Sequence, residues 1–210
     1  DVCSSDLEKT LVDLIVRMVK ESDIKNVVFT GGVALNVLAN YAIRKALPTD
    51  VKLYVEPICS NEGNSIGVSR FYCEEMGIPT NMPTHNYLNG LEPSYDLKLN
   101  EGETINQVDP KDIVDLILNQ NIVALFQGKS ESGPRALGNR SILFDPRNKN
   151  GKNIVNTVKN REPFRPFACS ILKDKAHKWF DMAGLDESPY MMYAMQALDG
   201  VKDRSEEHTS

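Results

Sequence analysis

Residues 127–165 hold most of the side chains in this sequence that could bind an anion. Nine basic residues stand against three acidic ones, a local charge of +6, and the basic residues are Lys129, Arg135, Arg140, Arg147, Lys149, Lys152, Lys159, Arg161 and Arg165. Several arginines follow Gly-Pro, Gly-Asn, Asp-Pro or Pro-Phe, so their side chains leave backbone that turns or is rigid. Guanidinium groups held in this way suit phosphate or carboxylate oxygens. The segment therefore predicts an anion site.

The charge of the remaining chain restricts what this anion is. The whole chain carries −5 at pH 7, so the residues outside 127–165 are strongly acidic. A general nucleic-acid-binding protein would be basic over a whole face or domain. The segregated pattern favours one local anion site, and we expect no nucleic-acid partner.

The cysteines and the hydropathy pattern indicate the cellular setting. Apart from Cys3, which belongs to the terminal segment discussed next, the cysteines are Cys59, Cys73 and Cys169, without a C-x-x-C pair. This pattern is typical of a reduced, cytoplasmic protein without structural zinc. No apolar run reaches membrane-spanning length, so no membrane partner is expected.

The two ends of the sequence resemble a translated artefact. Residues 1–7 and 204–210 can be encoded by opposite strands of one DNA of about twenty bases, as a sequencing-library adapter would be. Neither end is expected to belong to the native protein, and the native part, roughly residues 8–203, is expected to be an internal fragment of a longer reading frame.

The first part of the chain predicts alternating helices and strands. Apolar residues at three- and four-residue spacing indicate a helix over 8–22, and a short apolar run indicates a strand over 24–29, covered on both faces. Gly31 and Gly32 then precede a helix over 33–47. A strand, a glycine pair and a helix start can bind phosphate, but they are also an ordinary tight turn, and the spacing leaves both open.

A second strand and loop follow the same order. Residues 51–57 alternate as a half-buried strand, and a helix is expected from about Asn64 to Glu75. Asn61, Glu62 and Gly63 would then lie in the loop between them, where α/β sheets place ligands. A capped turn is the alternative.

The second part of the chain is predicted to be a separate α/β domain. The boundary is expected in the Pro- and Asn-rich stretch 79–94. Beyond it we predict short strands over 95–100 and 104–108, a helix opened by Asp109 and Pro110, a buried strand over 122–126 and a helix after Gly151.

Two motifs in the second part resemble a known family. G-K-S-E-S-G-P-R-A-L-G-N-R-S-I-L-F-D-P-R and R-E-P-F-R-P-F-A resemble the C-terminal domain of the O-carbamoyltransferases of antibiotic and nodulation-factor biosynthesis. Upstream, F-T-G-G-V-A-L-N-V-L-A-N and P-I-C-S-N-E-G-N-S-I-G look like the end of that family's N-terminal domain, an actin-like ATPase fold shared with the tRNA threonylcarbamoyl transferases.

The resemblance implies a fold and a domain division. The fold would be α/β, with the C-terminal part of an actin-like ATPase (RNase H-like) domain followed by a partial YrdC-like α/β domain. The adapter-like ends would be 1–7 and 204–210, the end of the actin-like domain 8–80, a linker 81–94 and the partial YrdC-like domain 95–203.

The resemblance also implies a two-step reaction. Carbamoyl phosphate and ATP, with Mg²⁺, would give carbamoyl-adenylate in the YrdC-like domain, and the hydroxyl of a small molecule or sugar would attack it in the actin-like domain. The catalytic residues would be Arg135, Arg140, Arg161 and Arg165, and Lys129 and Arg147 would join them in binding the substrates. Nucleotide contacts would come from Gly31, Gly32, Asn36, Asn61, Glu62 and Gly63.

Some of these residues have other plausible roles. Arg147 could instead hold Asp145, and Lys149, Lys152 and Lys159 are most simply solvated charges. Phe164 and Phe167 are expected in the core, with a purine face against Phe164 as the alternative.

The resemblance also implies an iron site, whose ligand pattern this sequence matches only in part. The family binds iron through a His pair, which would lie upstream of Glu8, and an Asp, at whose position this sequence has Asn61. An amide oxygen is a weaker ligand than a carboxylate, and Glu62 is a possible substitute.

Two other functions remain open from the sequence. One is carbamoyl- or threonylcarbamoyl-adenylate chemistry for tRNA modification. The other is a non-catalytic RNA-binding YrdC-like module. The basic segment 127–165 argues against this function, because it lacks the interleaved aromatic residues of a base-stacking surface.

Overall fold

The computed structural model describes residues 2–80, 98–129 and 131–200, so the predicted linker 81–94 lies outside the described residues. The helices are α1 (Val2–Ser22), α2 (Val37–Ala46), α3 (Asn61–Glu75), α4 (Pro110–Leu118), α5 (Gly151–Val158) and α6 (Lys173–Ala176). The strands are β1 (Asn26–Phe29), β2 (Lys52–Val55), β3 (Val123–Phe126) and β4 (Arg140–Leu143). None of the helices in these described ranges is long and apolar enough to cross a membrane.

The chain forms two compact units that interleave in sequence. Among the described residues, the first comprises 2–80, Ser132–Arg135 and Ile171–Leu198, and the second comprises 98–129, 131, 136–170 and 199–200. The division expected from the sequence was linear and kept 95–203 together. In the structure, Ser132–Arg135 and Ile171–Leu198 pack within the first unit instead.

The first unit is built on a parallel strand pair. β1 pairs with β2 in register from Asn26 with Lys52 to Phe29 with Val55. One face of the pair packs on α1 and α2, and Ile43, Val51 and Val55 lie in this core. Alternation along Lys52–Val55 puts every second residue inside, as the half-buried strand predicted here requires.

The prediction that the first strand is covered on both faces was wrong for the described residues. Val28 is 68% exposed and its neighbour Tyr54 is exposed as well. A nearly continuous apolar run does not show whether one face of a strand is covered or both, because tertiary packing decides how many faces are covered.

Residues 171–198 complete the core of the first unit. The Met192 side chain is buried in it, and the buried amide of Asn40 donates hydrogen bonds to the carbonyl oxygens of Ala34 and Met192, each at 2.8 Å. Lys45 pairs with Asp181 at 3.0 Å. The segment is therefore fixed to α2 by apolar packing, buried hydrogen bonds and one ion pair.

The second unit contains α4, α5 and an antiparallel pair of β3 and β4. The predicted helix start is confirmed, since Asp109 caps α4 in a capping box with Asp112 and Pro110 follows at the first helical position. The sequence reasoning missed β4, however. It also predicted β3 as buried, whereas Phe126 is 52% exposed.

The strands predicted near the start of the second part are absent where the structure describes the chain. Residues 98–108 form no strand, and residues 95–97 lie outside the described part. The overall class is confirmed as a mixed α/β protein with small sheets. The actin-like and YrdC-like assignments stay predictions.

Candidate functional site

The glycine pair after β1 begins a short turn rather than an α-helix. Gly31 has φ 95° and ψ 167°, a conformation open essentially to glycine alone. A single 3-10 turn over Gly32–Leu35 follows, closed by a hydrogen bond from the Ala34 amide to the Gly31 carbonyl at 2.9 Å. The predicted helix over 33–47 is thus a 3-10 turn followed by α2, which begins at Val37.

Asn36 joins this turn to α2 as the helix cap. Its Oδ1 accepts a hydrogen bond from the Ala39 amide at 3.1 Å. Asparagine is among the best residues at this position because it satisfies an amide that has no partner within the helix. The side-chain oxygen of Asn36 is therefore engaged in capping, and the nucleotide contact predicted for this residue stays a prediction.

Asn61, Glu62 and Gly63 lie in the first turn of α3 and not in the preceding loop as predicted. The helix begins three residues early because Gly63 lets its backbone come against the loop after β2. A Cβ on Gly63 would lie 2.1 Å from the Ile58 carbonyl oxygen, closer than any real contact. Gly63 therefore has a packing role here, whatever the ligand.

A cleft of about 230 Å³ opens at the carboxyl ends of β1 and β2. Parallel α/β sheets place their ligands at this edge. The cleft lies within the first unit and is lined by Thr30, Glu56, Ile58, Cys59, Ser60, Gly63, Asn64, Ile66, Gly67 and Arg70. Of the predicted nucleotide-binding residues, only Gly63 lines it.

Glu56 and Cys59 line the cleft, and Glu62 follows in the first turn of α3. Burial raises the pKa of the Cys59 thiol, Glu62 and Glu56 raise it further, and Arg135 opposes them. The Glu62 carboxylate has one oxygen, Oε1, that is buried with no hydrogen-bond partner in the described structure. The glutamates and Arg135 therefore all act on the same thiol.

The iron that the sequence resemblance implies has no complete ligand set among the described residues. Across residues 2–80, 98–129 and 131–200, no three His, Cys, Asp or Glu side chains come together in a metal-binding group. Asn61 offers only an amide, and Glu62 is a single carboxylate. These residues do not by themselves fit an iron site.

Arg135 belongs to a different unit from the other predicted anion-binding residues. It lies in the first unit, where its Nη2 donates a hydrogen bond to the Leu35 carbonyl oxygen at 3.3 Å. The other members of the predicted set lie in the second unit: Lys129, Arg140, Arg147, Arg161 and Arg165.

Arg147 makes the ion pair that the sequence left open. Its guanidinium bonds both carboxylate oxygens of Asp145, with Nη2 at 2.6 Å from Oδ2. Asp145 is 2% exposed and also accepts from Gln120 at 3.1 Å. The hydrogen bond from Arg147 holds the pKa of Asp145 at about 2, and burial acts in the opposite direction. In this structure Arg147 thus stabilises the loop after β4.

The ion pair between Arg147 and Asp145 makes the stability of the second unit depend on pH in the acidic range. Because the folded pKa of Asp145 is about 2, below its ordinary 3.8, the pair stabilises above about pH 4 and is lost as pH falls through 2. With Arg147 largely exposed, we expect a contribution on the order of 1 kcal/mol. The free energies of unfolding of wild type and Asp145→Asn should therefore approach each other as the pH falls from 5 to 2. Parallel pH profiles would contradict this role.

Asn156 organises the Arg-Glu-Pro-Phe-Arg loop and was missed from the sequence. It is 1% exposed on α5, and its Oδ1 accepts a hydrogen bond from Arg161 Nε. Its Nδ2 donates to the carbonyl oxygens of Pro163 and Arg165 at 3.2 and 3.0 Å. The only signal in the sequence is an asparagine on the apolar side of a helix, five residues before the first arginine.

The second-unit arginines lie against aromatic rings or acids. Arg140 stacks over Phe126 at 4.7 Å and Arg161 over Phe167 at 4.2 Å. The Arg165 Nε donates to Glu162 at 2.6 Å, and both side chains are about half exposed. Stacking and short ion pairs restrict where a guanidinium can point.

Phe164 lies at the outer edge of the same loop. It is 73% exposed, so its prediction as a core residue was wrong. The exposed ring lies between Arg161 and Arg165 in the sequence, which puts an aromatic face next to two cationic side chains. The alternative role, a face for a purine, remains a prediction.

Comparison with known proteins identifies the family. The model described as Carbamoyltransferase N-terminus matches residues 4–69, and the one described as Carbamoyltransferase C-terminus matches residues 114–209. An uncharacterized protein of Methanocaldococcus jannaschii is 32% identical over 194 residues, covering 83% of this chain and 31% of that protein.

Two nodulation proteins are similar over most of this chain. Nodulation protein NolO of Bradyrhizobium diazoefficiens is 30% identical over 92% of this chain and 37% of its own length. Nodulation protein U of Sinorhizobium fredii is 29% identical over 94% of this chain and 35% of its own length. The chain spans about a third of the length of the curated relatives it matches. The two family matches, in this order along one sequence, show that the chain belongs to the carbamoyltransferase family.

Proposed function

We propose that this chain is part of an ATP-dependent O-carbamoyltransferase, in which the second unit forms carbamoyl-adenylate and the first unit serves carbamoyl transfer to a hydroxyl. The observation that carries the proposal is the loop of the second unit in which buried Asn156 holds Arg161 and the Arg165 backbone around exposed Phe164. A loop held rigidly in this way, with cations and an aromatic face at its edge, is suited to binding a nucleoside triphosphate.

The first step needs several fixed positive charges. Water releases carbamate and phosphate from carbamoyl phosphate, and a carbamate oxygen then attacks the α-phosphorus of ATP while pyrophosphate leaves. Both reactants are polyanions and repel each other in water. Cations fixed before the reaction lower that repulsion without reorganisation, and an arginine stays charged at any working pH.

The cationic residues of the second unit would have two kinds of role, which follow from the contacts they make in the structure. Lys129, Arg140 and Arg165 would bind phosphate oxygens, with Mg²⁺ accompanying ATP. Arg161 contacts Asn156, the Pro166 carbonyl and Phe167, so it would mainly set the shape of the loop.

Phe164 and Arg147 complete this division of roles. Phe164 would stack on the adenine, since base–aromatic stacking accepts any exposed ring face. Arg147 would act through its ion pair with Asp145, away from the substrates.

The second step would use the cleft of the first unit. The acceptor oxygen attacks the carbonyl carbon of carbamoyl-adenylate, the bond from that carbon to the phosphate oxygen breaks, and AMP leaves with the electron pair. The hydroxyl proton is lost to water or to a carboxylate such as Glu56, which lines the cleft. The turn after Gly31 and the amides at the start of α3 would face the phosphate of the adenylate.

A direct assay tests the reaction class. The product of the complete reading frame that encodes this chain should release pyrophosphate from ATP when carbamoyl phosphate is present, and the release should stop when it is omitted. A rate that is the same with and without carbamoyl phosphate would overturn the proposal. A nucleic acid that raises the rate at low salt and loses its effect steeply with added salt would point to the RNA alternative.

A further inference from the structure

The tip of the Gly-Pro-Arg loop packs on the first unit. Gly133 has φ 96°, and a Cβ at this position would lie 3.6 Å from the Pro57 carbonyl oxygen and 3.7 Å from Ile58 Cγ1. Pro57 and Ile58 belong to the loop after β2, which forms part of the cleft wall. The tip therefore rests on the loop that carries Cys59 and leads into α3.

Arg135 reaches from this tip to the glycine turn. Its Nη2 donates to the Leu35 carbonyl oxygen at 3.3 Å, and Leu35 is the last residue of the 3-10 turn that follows Gly31. The preceding carbonyl, of Ala34, accepts from Asn40 at 2.8 Å. Two successive carbonyls at the end of a short turn are thus held by side chains. A 3-10 turn leaves such carbonyls without partners of its own, so its conformation depends on these bonds.

The charge of Arg135 also acts on Cys59, one of the residues that line the cleft. This charge lowers the pKa of the Cys59 thiol against the effects of burial and of Glu62 and Glu56. The Arg135 Nε is buried without a hydrogen-bond partner in the described structure, as is one oxygen of Glu62. A guanidinium that bonds a carbonyl of the turn and whose Nε is buried is placed to fix that turn, because its planar fork is rigid and always charged.

We propose that Arg135 is a positioning residue of the first unit, where it holds the turn after Gly31 for carbamoyl transfer, and that it takes no part in forming carbamoyl-adenylate in the second unit. The inference rests on the proposed function and reassigns Arg135, which its motif groups with the anion-binding arginines. One sequence motif thus serves both units, with Arg135 in the first and Arg140 in the second.

Two half-reactions of the complete reading frame's product separate the alternatives. Adenylate formation is measured as carbamoyl-phosphate-dependent exchange of labelled pyrophosphate into ATP, which needs no acceptor. Use of the adenylate is measured as AMP release in a single turnover with purified carbamoyl-adenylate, with water as the acceptor of the carbamoyl group. The variants are Arg135→Ala, Arg165→Ala, Gly31→Ala and, as a solvated control, Lys159→Ala.

The predicted pattern is a split between the two arginines. Arg135→Ala and Gly31→Ala should keep exchange within about twofold of wild type and slow AMP release by about tenfold, because a displaced turn misplaces the adenylate. Arg165→Ala should lose exchange, and Lys159→Ala should change neither rate. Loss of exchange in Arg135→Ala would make it a substrate ligand of the second unit and overturn the inference, as would unchanged AMP release.

Two further outcomes keep the test decisive. If Arg135→Ala does not fold, Arg135→Lys, which keeps the charge and loses the fork, should show the same split at a smaller size, and an equal loss of both rates would contradict the inference. If Arg165→Ala retains full exchange, the proposed function itself fails, whatever Arg135 does.

Discussion

Gly63→Ala should destabilise the first unit by about 3 kcal/mol, the upper end of the usual cost of overpacking. The added Cβ would lie 2.1 Å from the Ile58 carbonyl oxygen. Because that atom is backbone, relief requires α3 or the loop after β2 to move. The loop cannot move without disturbing Cys59, which lies in the core. Urea unfolding of the purified variant measures the cost.

The same helix offers a matched control. A Cβ on Gly67 meets nothing within 4 Å, and its φ is not positive. Gly67→Ala should therefore gain up to about 1 kcal/mol from helix propensity alone. If Gly63→Ala is as stable as Gly67→Ala, the close packing of α3 on the loop is wrong.

Asn156→Ala should cost about 3 kcal/mol and slow pyrophosphate release by about tenfold to a hundredfold. The substitution leaves Arg161 Nε and the carbonyls of Pro163 and Arg165 without their buried partner, and each such loss is expensive. It also frees the loop that presents Arg165, and small misplacements of a binding group reduce rates strongly. Urea unfolding and the pyrophosphate assay on the complete protein measure the two effects.

Two companion variants separate the role of the amide from a general effect on α5. Asn153 is exposed on α5 and its side chain donates to Asn150 Oδ1 at 2.9 Å, so Asn153→Ala should change stability by less than about 0.5 kcal/mol. Asn156→Asp keeps the acceptor for Arg161 and loses the donor to the two carbonyls. It should therefore resemble Asn156→Ala, and wild-type behaviour of Asn156→Asp would show that the carbonyl bonds do not matter.

The sequence predicted the elements whose signals are local. The three- and four-residue spacing from Leu11 to Val19 gave α1, strict alternation gave β2, and Asp109 followed by Pro110 gave the start of α4. In each case the residues that specify the element lie within it, so no knowledge of distant contacts is needed.

The misses are elements that distant contacts decide. In the sequence, β4 looks like part of a charged motif, because Arg140 and Ser141 interrupt the apolar pattern of a strand. Its extended conformation is stabilised by pairing with β3. Residues 171–198 look like the end of the second domain, yet Met192 fills the core of the first unit. The early start of α3 depends on contact between Gly63 and Ile58, which no propensity reveals.

The candidate site was predicted at the level of motifs and not of contacts. The sequence marked the basic segment, the glycine pair and the loop before α3. It could not show that Arg135 leaves the basic segment for the first unit, because membership of a motif carries no information about which unit a loop tip packs on. Asn156 was missed for a similar reason, since a buried asparagine differs from an exposed one only by its tertiary partners.

The central claim is that the cations of the second unit hold ATP and a carbamoyl donor together. Isothermal titration calorimetry on the complete protein tests it most directly, with ATP, Mg²⁺ and carbamoyl phosphate as the titrants, and Arg165→Ala beside wild type. The account predicts that wild type binds both compounds and that Arg165→Ala weakens both by at least about tenfold, the loss of one charge-assisted hydrogen bond. Binding of neither compound to wild type, or equal affinities in the variant, would contradict it.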